Sequence, residues 1–79
     1  MGDTSHGTIY GINGPVIKVR GNHPFQMLEM VMVGHDRLVG EVIRILKNET
    51  IVQVYENTTG LKTGEPVVST GKPLTVKLG

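Results

Sequence analysis

An all-β domain, closed or nearly closed into a small six-stranded barrel of Greek-key type, is the fold this sequence predicts, and three observations lead to it. Val, Ile and Thr, whose branched Cβ suits a pleated surface, make up 25 of the 79 residues. Alanine, the strongest helix former, does not occur. Eleven Gly and four Pro cut the chain into short segments. Short strands that return to pair with distant ones leave the fewest exposed edges when the sheet closes on itself.

The elements follow in order. Thr8–Ile12 and Val16–Arg20 face each other across Asn13-Gly14, a pair suited to the positive φ of a hairpin turn. Pro15 then stands at a strand's first residue, where its missing N–H does little harm. Gly21-Asn22-His23-Pro24 breaks the chain before Met27–Val33, which is apolar except at Glu29. Its shortness and the Gly34-His35-Asp36 turn favour strand over helix. Arg37–Leu46 fits a helical stripe as well as a strand, and Gly40 with the β-branched residues tips it to strand. Lys47-Asn48 turns into Thr50–Tyr55, the clearest alternation in the sequence. A long loop, 56–73, contains one short extended piece, Pro66–Ser69, and Leu74, Val76 and Leu78 alternate in a closing strand. No internal repeat is visible, and 1–6 is expected to be a flexible tail ahead of the 7–79 barrel.

Size and charge narrow the function. A chain of 79 residues buries only about 60% of the surface its unfolded form exposes, so the core must be thin. Without cysteine there is neither a disulfide framework nor a thiolate metal site. No apolar run approaches the roughly 20 residues of a membrane-spanning helix, and the first residues lack the basic-then-apolar design of a signal peptide. The expectation is a soluble domain without direct membrane contact. A formal charge of +1 offers no footprint for a polyanion.

Residues able to do chemistry are sparse. His6, His23 and His35 lack the spacing that sets two ligands on one helical face, and solvated turn or tail histidines are the plainer reading. Glu29 and Glu41 lie in apolar strands and suit either a tuned acid–base pair or, more simply, solvent-facing groups paired with an arginine such as Arg44. Ser5 and Ser69 lack the Gly-x-Ser-x-Gly setting of a nucleophile elbow. Ser69-Thr70-Gly71-Lys72 looks like the end of a phosphate-cradling loop, but Pro66 stands where the first Gly must turn and Pro73 where a hydroxyl must reach magnesium. Gly60 and Gly64 read as turn glycines. No catalytic, cofactor or metal residue is expected in this chain.

Four stretches in order carry a resemblance. Gly11-Ile12-Asn13-Gly14-Pro15-Val16, Leu38-Val39-Gly40-Glu41-Val42-Ile43-Arg44-Ile45, Gln53-Val54-Tyr55-Glu56-Asn57-Thr58-Thr59-Gly60-Leu61 and Gly64-Glu65-Pro66-Val67 resemble the N-terminal barrel of rotary ATPase head subunits. The likeness is strongest to the catalytic A-type chain of the archaeal and vacuolar enzymes. Thr70–Gly79 is similar to the stretch by which that barrel hands over to the nucleotide-binding domain. Gly21–Gln26 departs from the family's usual Gly- and Ala-containing segment. The chain looks like an excised fragment without the P-loop and helical domains.

The resemblance implies a crown domain of a V/A-type ATP synthase that makes or hydrolyses ATP coupled to proton or sodium transport. It implies B subunits as neighbours in an alternating A3B3 hexamer, a barrel without its own active site, and ATP with magnesium in the absent domain. It also implies a cytoplasmic head, peripheral to the membrane. Two alternatives stand beside it: the equivalent barrel of a non-catalytic B-type or F-type subunit, and a free-standing nucleic-acid-binding barrel. The latter requires exposed aromatics on a basic face, and Tyr10, Phe25 and Tyr55 are the only aromatics. The fourth strand bears on the contact surface. Val39, Ile43 and Ile45 lie on one face and Leu38, Val42 and Leu46 on the other, and a barrel core takes only one. The second set, Leu38, Val42 and Leu46, is the expected subunit interface, unless another part of the chain covers it.

Overall fold

The computed structural model describes residues 6–21 and 25–73. Six strands appear there, and no helix among the described residues: β1 (His6–Asn13), β2 (Val16–Arg20), β3 (Glu29–Val33), β4 (Leu38–Ile45), β5 (Thr50–Val54) and β6 (Pro66–Pro73). They close into a barrel in the order β1-β2-β5-β4-β3-β6, with every neighbouring pair antiparallel. β3, β4 and β5 are consecutive hairpin neighbours and β6 returns to lie beside β3, which is a Greek key. The fold class read from the sequence is the fold observed.

Some details differ. The first hairpin turns on Gly14 and Pro15, since Asn13 pairs with Val16. Gly14 at φ 60 followed by a proline ring that holds φ near about −65° is the pattern of a type II′ turn, which matches strand twist. The sixth strand is Pro66–Pro73, so the loop expected over 56–73 ends before Pro66. Gly71 and Pro73 read as punctuation in the sequence, yet β6 accommodates one in an irregular step of the ladder and the other at its last residue. His6, assigned to the tail, opens β1. The closing strand expected at Leu74, Val76 and Leu78, the tail up to Ser5 and His23 lie outside the described residues.

The core is built mainly from β-branched side chains. Ile9, Ile17, Val19, Val31, Val33, Val42, Val52 and Val67 are almost or wholly shielded from solvent. They alternate inward along their strands, as a small barrel filled by its own side chains requires. Phe25 and Leu61 join that cluster from outside the strands. Phe25 precedes β3 and packs near Gly7, whereas Leu61 lies beside Gly34 at the opposite end. Each therefore closes one end of the barrel. Gly40 shows how tight the wall is: a Cβ there would sit 2.8 Å from Val52 Cγ1 and 3.1 Å from the Gln53 carbonyl.

Candidate functional site

The two carboxylates that the sequence offers as an acid–base pair lie on opposite faces of the sheet. Glu29 shares the inward face of Val31 and Val33, whereas Glu41 pairs with Met30 and Gln53 on the outside. The expectation of a solvent-facing Glu29 is corrected, because it is 4% exposed and accepts hydrogen bonds within the chain. Glu41 takes the Tyr55 hydroxyl as donor at 2.5 Å. That bond, followed by desolvation and the Glu41 charge, raises the Tyr55 pKa.

Glu29 sits in a turn of defined geometry. Its own N–H donates to the Gln26 carbonyl at 3.1 Å, and the Gln26 N–H donates back to Glu29 Oε1 at 2.9 Å. Oε2 then accepts the Ser69 hydroxyl and the Gly71 N–H, the latter at 2.9 Å. Glu65 repeats the device at the other end. Its N–H donates to the Lys62 carbonyl at 3.3 Å, and the Lys62 N–H donates to Oε2 at 3.0 Å. Oε1 accepts the His35 N–H at 2.9 Å from the β3–β4 turn. The His35 bond is the largest cause of a lowered Glu65 pKa, against a smaller opposing effect of burial. Sequence reasoning missed this pair, although a signal existed: Phe25 and Leu61, the end plugs, each precede their glutamate by the same spacing.

The loop between β5 and β6 is therefore anchored at several points. Leu61 fills the barrel's end, the Thr58 hydroxyl donates to the Gly14 carbonyl at 2.9 Å, and the Ile9 N–H donates to the Glu65 carbonyl at 2.9 Å. The turn glycines Gly60 and Gly64 lie in this loop. The near-match Ser69–Lys72 lies in β6, where its backbone donor Gly71 is already engaged by Glu29. The described residues thus offer no cradle fitted to nucleotide phosphates. Among them, no three His, Asp or Glu side chains come together as metal ligands. No helix there is long and apolar enough to cross a membrane.

The interface residues read from β4 do not share a surface. Val42 is 0% exposed and belongs to the core, Leu38 is half-buried against that core, and Leu46 is 40% exposed beyond the strand's end. The cause is the register. Leu38 opposes Val33, Gly40 opposes Val31 and Val54, and Val42 opposes Val52, all inward positions. An irregular step between Val42 and Arg44 then shifts the alternation. The outward apolar positions are instead Val39 and Ile43. Val39 pairs with Met32, which pairs with Val68 across β3 and β6. These residues are half-buried in the isolated barrel and form an apolar row on its outer wall. The wall of β1 and β2 bears Thr8, Lys18 and Arg20 outward, with Arg20 stacked 4.2 Å over the Tyr10 ring.

Known proteins share this chain's sequence nearly throughout. Residues 9–71 match the ATP synthase alpha/beta family, beta-barrel domain. The V-type ATP synthase alpha chain 2 of Clostridium tetani is 56% identical over 77 residues, covering 98% of this chain and 13% of the relative. The catalytic A-type chain of the V-type proton ATPase of Candida albicans is 49% identical over 77 residues, again 98% of this chain and 12% of the relative. The corresponding chain of the A-type ATP synthase of Hyperthermus butylicus is 52% identical over 73 residues, or 92% of this chain and 12% of the relative. The chain thus spans about an eighth of the length of these curated relatives, whose shares are 12% and 13%. Barrel topology, family match and relatives agree, and the chain belongs to the ATP synthase alpha/beta family as its beta-barrel domain, of the kind carried by the catalytic A-type chains of V-type and A-type enzymes.

Proposed function

We propose that this barrel is an assembly collar: it joins its catalytic A-type subunit to neighbouring B subunits in an alternating hexamer and takes no part in the chemistry. The observation that carries the reading is the outer row Val39–Met32–Val68, an apolar strip on a domain whose other outer wall is polar. Names of relatives identical at 49% to 56% across almost the whole chain support the A-type assignment over a B-type or F-type barrel. ATP synthesis or hydrolysis coupled to proton or sodium movement, with ATP and magnesium as ligands, belongs to the remainder of such a subunit. The place of the whole is the cytoplasmic head, peripheral to the membrane.

The barrel's stiffness suits that role. Closure removes free edges, and both ends are plugged and tied by glutamate turns, so the domain can hold its shape while other domains move. A nucleic-acid role is poorly supported, since Phe25 is core and Tyr55 is engaged by an acidic neighbour.

The test uses the full-length subunit carrying this barrel. Met32→Lys and Val68→Lys should leave the fold intact by circular dichroism and weaken ring assembly with B subunits in sedimentation. Unchanged assembly by both variants would sink the proposed contact surface. Separately, titrating magnesium–ATP into the 79-residue chain should produce no saturable backbone amide shifts. Specific, saturable shifts would show a nucleotide site in the barrel and end the collar reading.

A further inference from the structure

Between Val31 and Glu29 the β3–β6 ladder is irregular: Val31 faces Ser69, but Glu29 faces Pro73, so Thr70, Gly71 and Lys72 bulge out of register. Gly71 adopts φ 75, a left-handed conformation that turns its N–H toward the barrel. A backbone N–H and a neighbouring hydroxyl converging on one point make the kind of concavity that binds anions. Here the point is filled from inside by the Glu29 carboxylate, which receives both Ser69 Oγ and Gly71 N–H. The Thr70 hydroxyl donates to the Met30 carbonyl at 2.6 Å and completes the attachment to β3.

We propose that Glu29 is the resident anion of a backbone cradle formed by the Ser69–Lys72 bulge, and that this latch fixes the course of the chain through the end of β6. Several features set it apart from an ordinary surface contact. The carboxylate is 4% exposed, and the groups it joins are separated by 40 and 42 residues. Its second oxygen is held by Gln26, so the side chain cannot swing away without breaking the turn that starts β3. Ladder pairing is interrupted over the same residues, which leaves the carboxylate and the Thr70 hydroxyl to hold the bulge. The resemblance of Ser69–Lys72 to a phosphate loop then has a physical basis: it is an anion cradle whose anion comes from the protein itself.

The experiment uses the whole 79-residue chain, labelled for nuclear magnetic resonance. In Glu29→Gln the Gly71 amide should exchange with solvent about tenfold faster or more, the effect of losing a hydrogen bond to a charged acceptor. The core Val52 amide should be nearly unchanged. Equal exchange of Gly71 in both proteins overturns the latch. Should the variant lose its fold, the unaltered chain supplies an independent reading. A scalar coupling across the hydrogen bond should connect the Gly71 amide nitrogen to the Glu29 carboxylate carbon, as it should connect His35 to Glu65. Coupling at His35 without coupling at Gly71 also overturns it. In Glu29→Ala, added formate should shift the Gly71 amide saturably. No shift in a folded variant defeats the cradle.

Discussion

Glu29 and Glu65 occupy opposite ends of the barrel and use the same local turn, in which the glutamate N–H and the N–H three residues earlier exchange hydrogen bonds. Each follows an apolar plug, Phe25 or Leu61, and each sends its free oxygen to a distant segment. The surroundings differ. Glu29 is buried and joins two strands across a break in their ladder, whereas Glu65 is half-buried and joins a loop to a hairpin turn. One turn design thus gives a structural latch where water is excluded and a milder staple where water can substitute for the lost partner. A third glutamate, Glu41, extends the series outward, since it lies on the outer wall and holds only the Tyr55 hydroxyl.

Whether the two ends rest on one frame is decided at the wall they share. Gly40→Val pushes a side chain toward Val52 and the Gln53 carbonyl and should cost about 3 kcal/mol by urea denaturation, as overpacking of a tight core does. Hydrogen exchange should rise at both ends alike. Loosening confined to one end would mean that latch and staple do not rest on a common barrel.

Glu29→Ala should come next, at about 2 kcal/mol, because three donors lose a charged acceptor while Gln26 and Gly71 regain some water. A denaturation midpoint identical to that of the unaltered chain would remove the distinction between latch and staple.

Glu65→Gln should lower the thermal midpoint by less, and the difference should depend on pH. The folded carboxyl has a pKa below its ordinary 4.5, so its contribution is fully present above that range and is lost as pH falls through the lowered value. Melting curves of the two proteins should converge in acid. A gap that persists unchanged at low pH would assign the effect to packing.

The smallest change is expected at Tyr55→Phe, which should leave the midpoint at neutral pH nearly unaltered. The Tyr55 pKa is raised above its ordinary 10.0 by the Glu41 hydrogen bond, so whatever this bond contributes is present below that range and disappears as pH rises through the raised value. The Tyr55 ring resonances should titrate later than free tyrosine and return toward the ordinary value in Glu41→Gln. No difference between those two titrations would show that the contact is not formed in solution.

Much of the barrel was legible because its strands are strongly patterned. Val16–Arg20 was read at its observed bounds, and the other four strands up to β5 differ only at their ends. β6 was divided into a short piece and a loop, since Gly71 and Pro73 are breakers in a linear reading and only a neighbouring strand shows that a bulge absorbs them. The faces of β4 were harder still. Apolar residues occupy both parities there, so alternation alone does not choose the inward set, and the step between Val42 and Arg44 reverses parity within the strand. This is why Leu38 and Val42, expected at an interface, belong to the core side.

Order along the chain was enough to set the all-β class, the position of nearly every strand and the family, because β-branched composition, turn residues and ordered motifs are properties of neighbouring positions. Which face of β4 is buried, where the barrel closes and what the two glutamates hold were settled only when the strands met. Those choices depend on register and on hydrogen bonds between residues 30 to 42 positions apart, and a partner so distant leaves no local mark.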